Sequence, residues 1–208
     1  MTNQTDVKVK WVEGDMLAGT TDGIAAVQTI TLADPVLDLN RTSFTGGVAR
    51  RVSITTTARG RPLASIFIVG TGADDQPLTA SITASQVVGG GTVASSVYFK
   101  TITSATASEQ WIFSDAVSVG MLDVAREIAI PGHPLRLKGY STAAPLRNTN
   151  NFLEFHDGDF SPESLIFEMY ISPLNINYPV PDEGVQIKNG LYLQYTVGSL
   201  LMANVFYT

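Results

Sequence analysis

Apolar and polar residues alternate along most of this chain, and a period of two is typical of β-strands that bury one face. The first example is Val7-Lys8-Val9-Lys10-Trp11, where the apolar residues share one face and the lysines share the other. Segments rich in Gly, Pro and Asp separate the alternating stretches at short intervals. The pattern predicts strands near residues 7–11, 27–32, 35–39, 51–57, 64–70, 78–82, 97–103, 116–119, 134–140, 151–156, 165–171, 185–187, 191–195 and 203–207.

Two stretches depart from simple alternation. Residues 64–70 form a continuous apolar run, which predicts a strand buried on both faces. Residues 121–128 contain good helix formers and precede Pro131, so they predict a two-turn helix. Two turns are marginal alone, and a strand with Val124 and Ile128 facing inward is the alternative.

The order of these segments predicts an all-β fold of tandem β-sandwiches, Ig-like or jelly-roll-like, with a short N-terminal arm. The arm covers residues 1–22, and its short strand has unpaired backbone groups that need a sheet to join. The first sandwich covers 23–120, a connector covers 121–134, and the second sandwich covers 135–208. We expect the arm to add to the sheet of a neighbouring molecule.

Composition limits the class of protein. Hydrophobic residues make up 44% of the 208 residues, which is enough for a packed core, while charged residues make up only 15% against roughly 25% in ordinary globular chains. The low charge indicates either a surface that partners cover or one in which Thr and Ser replace charged residues. Both interpretations stay open at this stage.

A net charge of −6 leaves no basic footprint for nucleic acid. Arg50, Arg51, Arg59 and Arg61 form one local basic cluster, which we interpret as a solvated strand end and turn and not as a phosphate site. There are no cysteines, so disulfides and thiolate metal sites are excluded. No apolar run approaches the length of a membrane helix, and the N-terminal residues lack the features of a secretion signal, so we expect a cytoplasmic product and no membrane partner.

Candidate chemistry is sparse. Glu154, His156, Asp157 and Asp159 form the sharpest polar cluster, in which Asp157-Gly158-Asp159 is either a carboxylate turn for calcium or a turn that uses Asp-Gly for its geometry. A Ser-His-Asp triad is disfavoured, because adjacent His156 and Asp157 would point to opposite faces of a strand. The glycines at 89–91 are not followed by the Lys and helix of a phosphate loop. We therefore predict no catalytic, metal or cofactor-binding residues and no cofactor.

Interface residues are predicted in two places. Val7, Val9 and Trp11 form the apolar face of the arm, and Tyr178 lies in a stretch, 175–179, that we interpret as a loop. The phenylalanines of the C-terminal part are expected in the core.

Two sets of motifs carry a resemblance to known proteins. Segments in the first half follow the order of paired strands, a GT turn, a Gly-rich loop and a YFKT-like strand, and the second half ends with an NGLY-like turn and a strand that closes on Tyr. These features resemble two small β modules of tailed-bacteriophage virion proteins. The segments are RRVSIT (50–55), IFIVGT (66–71), GGGTV (89–93), YFKTIT (98–103), VSVG (117–120), LEFHDG (153–158), GVQIKNGLY (184–192) and VFY (205–207).

The resemblance implies a non-enzymatic bacteriophage virion structural protein, of the capsid decoration or cement type, which stabilises the head through protein–protein contacts. Its expected partners are the major capsid protein or other virion proteins, in a homo-oligomer for which a trimer is favoured. The expected location is the virion, assembled in the host cytoplasm. The alternative is a head- or tail-fibre component that binds a host-surface glycan or receptor, and a third hypothesis is a polysaccharide hydrolase with converging carboxylates.

Overall fold

A computed structural model describes residues 7–14, 19–30, 35–57, 64–108, 111, 116–143, 152–170, 176–180, 183–197, 200 and 202–208. The chain divides into two compact units. The central unit is Ala18–Asp123, and the terminal unit combines Met1–Leu17 with Val124–Thr208.

The described residues form fifteen strands and two short 3-10 turns, with no α-helix among them, and the prediction of an all-β fold is confirmed. The finer prediction of tandem Ig-like or jelly-roll sandwiches stays a prediction. In this described part, no helix is long and apolar enough to cross a membrane. The strands are β1 (Lys8–Glu13), β2 (Thr20–Thr29), β3 (Ala49–Thr56), β4 (Ser65–Thr71), β5 (Pro77–Thr83), β6 (Gly91–Phe99), β7 (Thr101–Ala107), β8 (Ala116–Pro131), β9 (Leu135–Ala143), β10 (Phe152–Asp157), β11 (Leu165–Tyr170), β12 (Ile176–Pro179), β13 (Val185–Ile187), β14 (Gly190–Thr196) and β15 (Met202–Tyr207), with 3-10 turns at Thr45–Gly47 and Pro162–Ser164.

The terminal unit contains two antiparallel sheets. One has the order β1-β15-β9-β12, with β13 also paired to β9. The other has the order β11-β10-β14-β8, where β8 contributes Val124 to Pro131. Successive side chains of a strand point to opposite faces of the sheet, so apolar residues at every second position give each sheet one apolar face for the core.

Aromatic side chains join the two sheets of the terminal unit. Tyr140 of β9 lies 5.0 Å from Phe155 of β10 and 5.7 Å from Phe167 of β11, measured between ring centroids. Phe155 and Phe167 stack at 4.4 Å. Burial, and then the charge of nearby Tyr178, raise the pKa of Tyr140. The expectation of phenylalanines in the core is confirmed for Phe155, which is fully buried, whereas Phe206 lies on the opposite face of its sheet.

The central unit has its own sheets. The first part of β8, Ala116 to Asp123, pairs with β2 and lies beside β3 and then β6, while β5-β4-β7 form a separate three-stranded sheet. Branched aliphatic residues dominate its core, because they suit a pleated, buried surface. The buried set includes Ile24, Val52, Ile54, Ile66, Ile68, Phe99, Ile102, Val117 and Val119.

The helix predicted at 121–128 is wrong, since these residues continue β8. Val124 to Ile128 pair with Thr196 to Tyr192 of β14, and this ladder satisfies their backbone groups without a helix. Residues 121–134, predicted as a connector, therefore lie mostly in a strand, and the boundary between the units falls inside it, after Asp123.

Two further expectations need correction. The run 64–70 is not buried on both faces: Ile66 and Ile68 are buried, but Phe67 and Val69 are exposed, because β4 alternates like an ordinary half-buried strand. The strand predicted at 35–39 is reduced to an isolated bridge between Val36 and Thr106. The N-terminal segment 1–22 contains β1, which pairs with β15 of its own chain, and its addition to the sheet of a neighbouring molecule stays a prediction.

The basic cluster is not a solvated strand end. Arg50 is 0% exposed, and both its Nε and its Nη2 donate to the carbonyl of Leu122, at 3.0 and 2.6 Å. Arg51 Nε donates to the carbonyl of Ser95 at 2.7 Å. These two side chains hold strands together inside the central unit. Arg59 and Arg61 lie outside the described residues.

Two glycines of the terminal unit with positive φ allow a test of the close packing between β8 and the start of β14. Gly190 lies in that contact, and Gly132 serves as its control. Gly190 has φ +103°, and a Cβ atom there would lie 2.5 Å from the carbonyl oxygen of Ile130, whereas Gly132 has φ +59° and no atom within 4 Å of such a Cβ. We expect Gly132→Ala to cost about 1 kcal/mol, the penalty of left-handed backbone. Gly190→Ala should cost about 3 kcal/mol, because the added Cβ atom would also push the backbone of β8 at Ile130 away from β14. Urea unfolding of both variants measures the difference, and equal losses would contradict the packing described here.

Candidate functional site

The acidic and histidine residues near the end of β10 form a hydrogen-bonded network. His156 Nε2 lies 3.3 Å from Glu154 Oε2, and Gln194 Nε2 donates to the same oxygen at 2.5 Å. Arg126 Nε donates to Gln194 Oε1 at 2.6 Å, and its guanidinium lies 4.6 Å from the Phe160 ring centroid. Polar groups with several partners of this kind lock the strands that carry them.

A serine that the sequence analysis missed joins this network. Ser164 Oγ lies 3.0 Å from His156 Nδ1, and His156 Nε2 contacts Glu154. The three side chains therefore form a continuous chain of contacts. Ser164 Oγ also lies 2.9 Å from the carbonyl oxygen of Asp159 and 2.8 Å from that of Ser161. A hydroxyl has one proton, and two backbone carbonyl oxygens compete with His156 Nδ1 for it. Ser164 is therefore not a serine whose proton is committed to the histidine, as a nucleophilic serine requires.

The two aspartates of the predicted carboxylate turn are occupied by backbone donors. Asp157 accepts from the backbone N–H groups of Lys188 and Asn189, at 3.1 and 2.7 Å. Asp159 accepts from the N–H of Ser161 at 2.8 Å, and this backbone hydrogen bond is the main reason that the pKa of Asp159 is lowered. Among the residues that the structure covers, no three His, Asp or Glu side chains converge to hold a metal ion.

A second candidate site is the exposed face of the terminal-unit sheet β1-β15-β9-β12. The inner face of this sheet buries Val12, Ala203, Val205, Tyr140 and Thr142. The opposite face, which we call the outer face, is made by the residues that alternate with them. Register places these outer-face residues in three rows across the strands: Glu13, Met202 and Ala143; Trp11, Asn204, Ser141 and Asn177; and Val9, Phe206, Gly139 and Pro179.

The predicted interface residues Val7, Val9 and Trp11 lie on the exposed side of β1. Trp11 is 60% exposed, and Val7 and Val9 are each 56% exposed. Lys8 and Lys10 alternate with them, toward the other face of this edge strand. Charged residues, Lys above all, are a common device that discourages another strand from adding to an edge. The apolar face of β1 is therefore a better contact surface than its backbone edge.

Tyr178 is not part of this surface. It belongs to strand β12 and not to a loop, and its ring stacks on the Tyr140 ring at a centroid distance of 5.0 Å. The loop interpretation was wrong because β12 pairs with β9, and that pairing directs Tyr178 to the same face as Tyr140. Its role as an interface residue stays a prediction that the packing does not favour.

A depression opens beside Phe206, and its lining includes the inner-face tyrosines Tyr140 and Tyr178 as well as Lys138. Gly139 has no side chain, and the space of about 420 Å³ is lined by residues of β9, β12 and β15. A Cβ atom at Gly139 would lie 2.9 Å from the carbonyl oxygen of Tyr178 and 3.8 Å from Phe206 Cδ2, so the glycine allows β12 to approach β9 closely. A neighbouring depression of about 230 Å³ includes Ser141, Asn177 and Asn204 among its lining residues. The outer face thus combines exposed rings with amide and hydroxyl groups.

Among the described residues of the central unit, the most exposed large apolar side chains lie in the connection between β5 and β6. Val87 is 66% exposed and Val88 is 83% exposed. The connection has a defined shape: Val87 N–H donates to Ser85 Oγ at 3.3 Å, and Gly90 N–H donates to the carbonyl of Val87 at 3.0 Å. We call residues 87–88 the valine tip.

Comparison with protein-family models, with curated proteins and with solved structures finds no match to this chain.

The Glu154 network supplies a stability prediction. Glu154→Ala removes the acceptor shared by His156 and Gln194, and we expect the free energy of unfolding to fall by about 1–3 kcal/mol because partly buried donors lose their partner. Glu163→Ala is the control, since Glu163 is exposed and surface substitutions usually stay within about 0.5 kcal/mol. Urea unfolding monitored by tryptophan fluorescence measures both. Equal values for the two variants would show that the network does not stabilise the unit.

Proposed function

We propose that this chain is a non-enzymatic structural protein of a tailed-bacteriophage particle, of the capsid decoration or cement type. The resemblance of its two halves to phage β modules, in their order along the chain, supports the proposal. The particle partner is the major capsid protein or another virion protein, and the chain acts there as a homo-oligomer, with a trimer favoured. The action is physical, because burial of apolar surface against a partner provides the binding free energy.

The observation that carries the proposal is the valine tip. Two adjacent valines project from a connection whose backbone is held by hydrogen bonds, so both side chains are presented together in a fixed arrangement. Isolated exposed apolar residues are common on protein surfaces, but a presented pair gains free energy when a partner covers it. Burial of two such side chains is worth about 3 kcal/mol or more at a protein interface.

The Ser164 hydroxyl supports the non-enzymatic part of the proposal. Its contacts with two backbone carbonyl oxygens fit a role in shaping the turn Pro162–Ser164, and His156 is buried beside it. The hydroxyl therefore has a structural role in this turn, and we expect Ser164→Ala to lower the free energy of unfolding in a urea titration.

A second candidate function is favoured by one specific observation. The outer face of the terminal unit presents Trp11 beside a row of amide and hydroxyl side chains, and this combination suits recognition of a host-surface glycan by a head- or tail-fibre component. The two candidates are compatible, because the valine tip and the outer face belong to different units.

Particle incorporation tests the first candidate. We expect the double variant Val87→Ser, Val88→Ser to be depleted at least about ten-fold from purified virions, since the loss of two buried valines removes several kcal/mol of docking free energy. Val27→Ser is the matched control, because Val27 is a similarly exposed valine on β2. Quantitative mass spectrometry of virions measures the protein relative to the major capsid protein. Absence of the wild-type chain from virions would overturn the proposal, and light scattering of the purified protein tests the trimer.

A further inference from the structure

We propose that the outer face of the terminal-unit sheet binds an uncharged oligosaccharide, with a sugar ring stacked on Trp11 and its hydroxyl groups held by Asn204, Ser141 and Asn177. This inference deepens the second candidate function and rests on it for its biological setting. The binding event itself depends only on the residues of this one sheet.

The four side chains lie in one straight row across four strands. Trp11 is the register partner of Asn204, Asn204 is the partner of Ser141, and Ser141 is the partner of Asn177. Residues directly opposite each other in antiparallel strands project from the same face. Asn204 Nδ2 donates to Ser141 Oγ at 3.2 Å, which places these two side chains together on the outer face. Neighbouring strands are about 4.8 Å apart, so the row extends about 14 Å, the length of a short oligosaccharide.

The chemistry of the row fits a polyol. An exposed indole offers a flat apolar surface for the C–H face of a sugar ring. Fixing this side chain on binding costs little conformational entropy, because it has only two free torsions. Amides offer both donors and acceptors, as a sugar hydroxyl requires. The Asn204–Ser141 hydrogen bond orients the two groups before a ligand arrives, which reduces the ordering cost of binding. Phe206, in the adjacent row, gives a second ring beside the depression at Gly139.

Charge favours a neutral ligand. In the three rows of the outer face, Glu13 is the one ionised side chain among the described residues, and it lies at the end of the first row. The central row has none. The central row has no cation to replace the lost hydration of an acidic sugar or a phosphate, and burial of an unpaired charge is costly. Lys138, which lines the adjacent depression, donates to the carbonyl of Glu183 at 3.2 Å. Neutral amides and hydroxyls match the neutral hydroxyls of an uncharged glycan.

The size of the outer face suits a small ligand. The three rows extend about 14 Å along the strands as well as about 14 Å across them, an area of about 200 Å². A stable protein–protein interface buries about 800 Å² on each partner, so a protein partner would also have to contact surface beyond these rows. A small ligand needs only a few placed polar groups and an apolar floor, which these rows supply.

Binding of neutral oligosaccharides to the full-length protein tests the proposal. An array of gluco-, galacto- and manno-oligosaccharides identifies a binder, and calorimetry then measures its affinity. We expect Trp11→Ala to weaken binding about ten-fold and Trp11→Tyr to retain part of the affinity, because a smaller ring still stacks. Asn204→Ala should weaken binding by a similar factor, since it removes a hydrogen-bonding group and frees Ser141.

Phe67→Ala is the matched control, because Phe67 is an exposed aromatic residue of the other unit and its replacement should leave affinity unchanged. Failure of the wild-type protein to bind any neutral oligosaccharide would overturn the inference, and so would full affinity in Trp11→Ala. Loss of self-association in Trp11→Ala, without glycan binding by the wild type, would identify the face as an interface between copies. Each of these outcomes leaves virion incorporation through the valine tip to be measured separately.

Discussion

The pairing register of β9 determines both faces of the terminal-unit sheet. This strand is hydrogen-bonded to β15 on one edge and to β12 and β13 on the other. Its alternation sends Tyr140 into the aromatic core and Ser141 into the outer row. A slip by one residue would exchange the two faces, exposing the tyrosine and burying the serine, so the core interaction of Tyr140 with Phe155 also fixes the candidate binding surface. The aromatic core therefore determines which side chains the outer face presents.

The features that the sequence predicts well are local ones. Alternation within a single segment is enough to identify strands such as β3, β11 and β15, because the period of two is a property of the strand itself. The stretch at 121–128 was assigned wrongly because its residues have good helix propensity, and only β14, about seventy residues later, overrides that preference. The burial of Arg50 was not predicted for the same reason. Its acceptor, the carbonyl of Leu122, is distant in sequence, and no residue near Arg50 indicates that its side chain is buried.

The outer face shows more clearly what local sequence patterns cannot predict. Trp11 was identified because it belongs to a visible apolar stripe, but Asn204, Ser141 and Asn177 are single polar residues in three different strands. Only the strand order β1-β15-β9-β12 brings them into one row, and strand order is a property of the whole chain that alternation does not encode. The Ser164–His156 contact was missed for a related reason, since it depends on a 3-10 turn that returns the chain to β10.

The pairing of β1 with β15 also imposes an order on folding. Its partners, from Lys8 with Tyr207 to Glu13 with Met202, are about two hundred residues apart, and contacts of such high sequence separation form late. The central unit is continuous in sequence and has all its strands when Asp123 has left the ribosome. At about 5–20 residues per second, β1 waits roughly 10–40 s for its partner. During that time its valines and Trp11 are carried by a segment that lacks its native partner strand, and Lys8 and Lys10 are residues of the type that discourages unwanted strand addition.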